Sequence, residues 1–243
     1  EFVQQKWSIK TLHKLIMTSS VYRQGSHFDP VAMSEKDPDN ALLSRFPIRR
    51  MDGDQIRDSI LKVSGRLDLT PFGPPEGVEV TAEGEVLSKA TPTACGGSVC
   101  LVPAVQSEVR RSIYTLVRRE TPLTLLEVFD APQLQPNCLK RGYSTVATQA
   151  LQLLNGNMIR ESARYFAGRT IDWASANVEQ QVERVYRVAL SRPPTQQEMK
   201  LGVEAVQNLT QQWLELLQKE TPAEPRQTKA QWLGLSSFCH IIL

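Results

Sequence analysis

The 243-residue sequence has no apolar run approaching the ~20 residues that cross a bilayer. Nor does it open on a cationic stretch followed by an apolar one, the pattern of a secretory signal. A transmembrane segment is therefore not expected in this chain. Charge of one sign is also lacking: 28 Lys and Arg stand against 26 Asp and Glu, for a net charge of +2. Nothing in that balance demands a nucleic-acid partner, and none is expected. Catalytic signatures are absent as well. There is no H-E-x-x-H, G-x-S-x-G, G-x-G-x-x-G or P-loop pattern, and "STVATQ" offers hydroxyls with no adjacent base.

Cysteine is scarce, at Cys95, Cys100, Cys138 and Cys239. Four would suit two disulfides in an exported protein. They lack the paired C-x-x-C spacing of a zinc site, so no metal is expected. "SSFCH" has Ser236 where a haem-attachment motif needs its first cysteine, which argues against covalent haem here.

What is present is ordinary globular material, 41% apolar and 22% charged. A chain of this size can bury roughly 70% of its unfolded surface. Glu1 to Lys6 reads as helix interior without a starting methionine, so the chain is expected to be a piece of a longer one. From Trp7, apolar residues fall at Ile9, Leu12, Leu15 and Ile16, the spacing of an amphipathic helix with a packing stripe. Lys10 and Lys14 lie one turn apart outside that stripe, as a solvated edge.

Asp52 with Gln55 forms a capping box opening a helix that buries Ile56, Ile60 and Val63 and ends at Gly65. Residues 70–109, with "PFGPPEG" and "TPTACGG", read as a loop-rich insertion in which Val78, Val80 and "SVCLV" allow short strands. "RSIYTLVRR" is compatible with a buried strand or a short helix. The remainder is helical: "STVATQALQLLNG" with Ser144 or Thr145 as cap, a helix from about Asn157, and a stripe of Val178, Val182, Val185, Tyr186 and Ala189. Thr195 and Glu198 then box a long helix carrying Met199, Val203, Val206 and Trp213. A polar proline linker at 220–227 precedes a last helix with Trp232, Leu235 and Ile242. The expected architecture is mainly α: one domain over 1–243, an irregular helical bundle with a loop-rich insertion carrying a few short β-strands.

Five ordered stretches carry a resemblance: "WSIKTLHKLIMTSSVYRQ", "DPDNALLSRFPIRRMDGDQIRDSILKVSGRLD", "RRSIYTLVRRETPLTLLEVFDAP", "RGYSTVATQALQLLN" and "VYRVALSRPPTQQE". Together they resemble the planctomycete-specific domain family known as domain of unknown function 1553. "TPTACGGSVCLVPAVQSE" departs from that pattern. The family has no established activity. The resemblance implies a large exported protein, periplasmic or in the cell envelope, in which an upstream domain precedes this one and a cytochrome c-like domain is often present. Any haem would belong to that separate domain, with no cofactor in this chain. By the same likeness the chain is clipped at both ends.

The polar residues inside these stretches that could share one pocket are His13, Tyr22, Arg23, Arg57, Asp58, Arg111, Tyr114, Asp130, Arg141 and Gln149. Arginine presents a planar fork suited to carboxylate, sulfate or phosphate, so Arg111 and Arg141 would clamp an anion against Tyr114. Asp58 or Asp130 would then serve as base and His13 or His27 as acid. Against this stands the plainer reading, ranked first here, in which these charges tie loops to helix ends. Three functions follow. The first is a noncatalytic interaction domain that packs on its upstream neighbour. The second is part of an enzyme or binding module for an anionic polysaccharide, and the third a nucleic-acid-binding helix using Lys10, Lys14 and Arg23.

Overall fold

Ser8 opens the first helix, α1 (Ile9–Thr18), its hydroxyl accepting the Thr11 N–H at 3.3 Å in the computed structural model. The structure describes residues 1–26, 37–89, 91–92, 107–132, 142–174, 177–217 and 223–243. They fall into two compact units, Glu1–Met51 and Asp52–Leu243, each taken here by itself.

In the first unit Lys6 and Trp7 adopt left-handed φ, 52° and 59°, so the residues before Ser8 form turns rather than the helix interior expected. Thr18 and Ser19 close the helix by donating their hydroxyls to the carbonyls of Lys14 and Ile16. No residue of α1 is buried. Among the described residues the expected packing stripe is therefore not covered: Ile9, Leu15 and Ile16 are exposed and only Leu12 is half-buried. Asp37 accepts the Ala41 and Leu42 N–H groups at 2.8 and 3.0 Å, and Arg45 donates to the carbonyls of Asp37 and Pro38. Turn hydrogen bonds organise residues 37–45.

The second unit is mainly α. Asp52 and Gln55 form the expected capping box of α2 (Gly53–Ser64), and Gly65 ends it at φ 83°, a conformation that favours glycine. Next come β1 (Leu67–Asp68), the hairpin of β2 (Val78–Val80) and β3 (Val86–Ser88), β4 (Thr91–Pro92) and β5 (Ser107–Arg110). The parallel pairing of β1 with β5 matches Leu67 to Val109, and β4 joins β5 antiparallel. The loop-rich reading of 70–109 matches what is described, while "SVCLV" lies outside the described residues. "RSIYTLVRR" begins as the helical alternative in its shortest form: Ser112–Tyr114 is a single 3-10 turn, followed by extended chain.

Helices α3 (Thr124–Val128), α4 (Ala147–Asn155), α5 (Asn157–Ala174), α6 (Val178–Leu190), α7 (Gln196–Leu217) and α8 (Ala223–Ile242) complete the described residues. The last helix starts at Ala223, so residues 223–227 are helical where a linker was expected; Pro225 falls in the first turn, where a missing N–H costs little. Thr195 and Glu198 exchange the two bonds of their capping box, at 2.8 and 3.2 Å.

One apolar core joins α5, α6, α7 and α8 through Phe166, Val182, Val185, Val206, Trp232 and Leu235. A second joins α2 and α3 to α5 through Ile60, Leu125, Phe129 and Ile159. Close approach of α7 and α8 depends on glycine. A Cβ at Gly234 would lie 2.8 Å from the Thr210 amide nitrogen and 2.9 Å from its Cα. Cys239 is a free thiol, fully buried in the first core, so it does not enter the disulfide pairing the cysteine count allowed. Cys95, Cys100 and Cys138 lie outside the described residues.

Candidate functional site

Arg57 is the largest fully buried side chain among the described residues, at 0% exposure, and it projects from α2 toward the end of β5. Its Nη1 donates to the Arg110 carbonyl and the Ser112 hydroxyl, both at 3.1 Å, and its Nη2 donates to Ser88 Oγ at 2.7 Å. Asp58 adds an ion pair at 3.6 Å. Burial, more than any neighbour, lowers the Arg57 pKa, and the carboxylates of Asp58 and Glu76 act in the opposite sense.

Asp58 is engaged on both oxygens. Oδ1 accepts the Ser112 N–H at 2.8 Å and the Ser112 hydroxyl at 2.7 Å, and Oδ2 lies 3.6 Å from Arg111 Nε. Ser112 Oγ thus accepts from Arg57 and donates to Asp58. That relay fixes the 3-10 turn against α2. Tyr114, expected as the wall of an anion pocket, stacks on a cation of its own chain: the Arg110 guanidinium lies 3.9 Å from the ring centroid. Arg110 also donates to the carbonyls of Thr70, Phe72 and Pro74, which ties the proline-rich loop to β5.

Glu76 completes this group. Its Oε1 accepts the Arg110 N–H at 3.0 Å and its Oε2 is buried without a partner among the described residues. Burial raises its pKa, opposed by that hydrogen bond and by Arg57 and Arg110. Sequence reasoning named Arg57, Asp58, Arg111 and Tyr114, which do come together, and missed Arg110, Ser112, Glu76 and Ser88. The signal for Arg110 was legible: consecutive side chains leaving a strand point to opposite faces, so Arg110 and Arg111 serve different partners.

Asp130 and Gln149 belong to a second group. Asp130, at φ 60°, accepts the Ser144 N–H at 2.7 Å and its hydroxyl at 2.8 Å. Gln149 donates to the Val128 carbonyl at 3.0 Å and to Ser144 Oγ at 3.2 Å, and accepts the Val146 N–H. Ser144 is therefore engaged by Asp130, and Val146 stands at the N-cap of α4 where Ser144 or Thr145 was expected. Arg141 and His27 lie outside the described residues. In the first unit His13 is exposed on α1, Tyr22 meets Phe46 edge-on at 5.9 Å, and the Arg23 N–H donates to the Ser19 carbonyl.

Asp58 and Arg111 border an open cleft of about 950 Å³ between α2, the 3-10 turn, α3 and the end of α6. Its walls are mostly apolar, including Val63, Leu116, Leu123, Leu126 and Val188. Ile113 and Val117, on its edge, are 78% and 64% exposed. Asp54, Lys62 and Glu127 add charges of both signs. Among the described residues no group of three or more His, Cys, Asp or Glu is placed to hold a metal ion, and no helix is long and apolar enough to cross a membrane.

No curated protein and no solved structure matches the chain. The family model PSD1, described as a protein of unknown function (DUF1553), matches residues 1–206, covering all of the first unit and the second as far as α7. On that match the chain belongs to the DUF1553 family.

Proposed function

We propose that this chain is a noncatalytic interaction domain of a larger exported protein, which packs on its upstream neighbour and helps hold or present a redox or substrate-binding module of the same polypeptide. The observation that carries the reading is the apolar cleft beside Ile113 and Val117. Exposed aliphatic side chains grouped on one concavity are the mark of a surface that another chain covers. The mixed charges of Asp54, Lys62 and Glu127 resemble the polar rim around such a contact.

The polar chemistry nearby supports the same reading. The fork of Arg57 is occupied by Ser88, Ser112 and the Arg110 carbonyl, and Arg110 is occupied by three loop carbonyls. Arg57 and Arg110 hold the cleft wall in place and are not presented to a polysaccharide. The near-neutral charge likewise gives a nucleic-acid role no support.

The test uses the parent protein, with the upstream domain also made as a separate chain. Isothermal titration of that domain into this one should show association, and Ile113→Asp or Val117→Asp should weaken it by about tenfold or more. Affinity unchanged by both substitutions refutes the cleft as the contact. Absence of association, in trans and by protease protection within the parent, refutes the interaction role.

A further inference from the structure

Trp173 differs from the two other tryptophans described in the helical unit. The indole N–H of Trp213 donates to Ser237 Oγ at 3.1 Å, and that of Trp232 donates to the Arg164 carbonyl at 3.2 Å. Trp173, in the last turn of α5, is 50% exposed, and its N–H has no acceptor among the described residues. Two guanidinium groups lie against its ring. Arg169 Cζ, one turn earlier on α5, is 4.4 Å from the centroid, and Arg184 Cζ, on α6, is 3.9 Å away.

Of the arginines stacked on an aromatic ring among the described residues, only Arg184 meets no acidic or carbonyl oxygen. Arg66 pairs with Glu161 at 3.0 Å, Arg192 with Glu198 at 2.7 Å, and Arg110 with loop carbonyls. Arg169 uses only Nη1, for the carbonyls of Lys62 and Val63 at the end of α2. Arg184 donates no hydrogen bond among the described residues, and its Nε is buried without an acceptor. Neither arginine meets a carboxylate among the described residues. Glu183, beside Arg184 in sequence, pairs instead with Arg187 at 2.8 Å. Asp172, three residues after Arg169 on α5, is exposed and makes no ion pair with either arginine among the described residues.

Two like charges held beside one ring, with an unfilled fork and a free indole N–H, form a donor set lacking its anion. We propose that Arg169, Trp173 and Arg184 form a binding site for an oxyanion, a sulfate, phosphate or carboxylate group carried by a larger ligand. The Arg184 fork would supply paired N–H donors, and Arg169 a second cation already anchored to α2. Stacking on Trp173 holds the guanidinium plane in place before the anion arrives. Partial burial of Arg169 and its proximity to Arg184 lower the Arg169 pKa, a penalty that a bound anion would relieve.

Nitrogen-detected titration of the whole chain tests the assignment. Inorganic sulfate, inorganic phosphate and acetate are each added at constant ionic strength against chloride, while the indole N–H of Trp173 and the Nε–H of Arg184 are followed. At least one anion should shift both signals saturably and leave the Trp232 indole unmoved; the strongest identifies the group. Arg184→Gln and Arg169→Gln should each weaken binding by about tenfold or more. Arg184→Lys, which keeps the charge and loses the fork, should fall between wild type and Arg184→Gln. The proposal is overturned if no anion saturates, or if Arg184→Gln, checked as folded by its amide spectrum, binds as wild type does.

Discussion

Replacing Arg57 by methionine tests whether the buried network is what holds the cleft wall to α2. Methionine nearly preserves the volume of the side chain, so the loss reads out polar contacts rather than a cavity. Three hydrogen bonds disappear, to Ser88, Ser112 and the Arg110 carbonyl, together with the ion pair to Asp58. Removing one partner from a buried charged network costs about 3–5 kcal/mol, because the groups left behind stay desolvated. Asp58 keeps both Ser112 contacts and Arg111. The expectation therefore sits near the lower end, about 3 kcal/mol. For a unit spanning 52–243 that corresponds to a melting temperature lower by roughly 6–12 °C. Arg111→Met serves as the control. It faces the same carboxylate at 3.6 Å, but its side chain is 56% exposed, so water screens the pair and roughly 0–1 kcal/mol is expected. Urea unfolding followed by tryptophan fluorescence measures both. Equal losses in the two variants, or a loss under about 1 kcal/mol for Arg57→Met, would refute the reasoning.

Two further outcomes rest on other parts of the helical unit. Gly234→Ala places a methyl against the Thr210 backbone, so α7 and α8 must separate; thermal unfolding should show a loss of about 1–3 kcal/mol or more, and an unchanged midpoint would mean the helices cross elsewhere. Glu198 is held at a pKa of about 2, against 4.5 ordinarily, chiefly by its hydrogen bond to Arg192 and then by the Thr195 N–H. Because the folded-state value is depressed, its contribution to stability is present above pH 4.5 and lost as pH falls toward 2. Glu198→Gln should therefore be less stable than wild type at pH 6, with urea midpoints converging as pH drops through that window. A gap that stays constant with pH contradicts the assignment.

What the sequence by itself determined was set by contacts a few residues apart. The capping boxes of Asp52 with Gln55 and of Thr195 with Glu198, the left-handed stop at Gly65 and the buried stripe of Val182, Val185 and Tyr186 were all legible. Each is decided by hydrogen bonds or helical spacing within one or two turns. Local competition already blurred the start of α4: Ser144 has the chemistry of a cap, but Asp130, 14 residues earlier, takes both its N–H and its hydroxyl. The stripe of α1 shows the complementary limit. Its spacing establishes an apolar face, yet spacing says nothing about a partner, and among the described residues the face stays uncovered.

Only the tertiary structure decided the fate of the arginines. Arg57 reaches Ser88 across 31 residues and the Arg110 carbonyl across 53. Arg169 and Trp173 share a face of α5, but the approach of Arg184 depends on how α6 packs there. A guanidinium has the same chemistry whether it ties down a buried loop or waits for an anion. Which of these it does is set by the acceptors that folding brings within about 3 Å of it, and those come from distant parts of the chain.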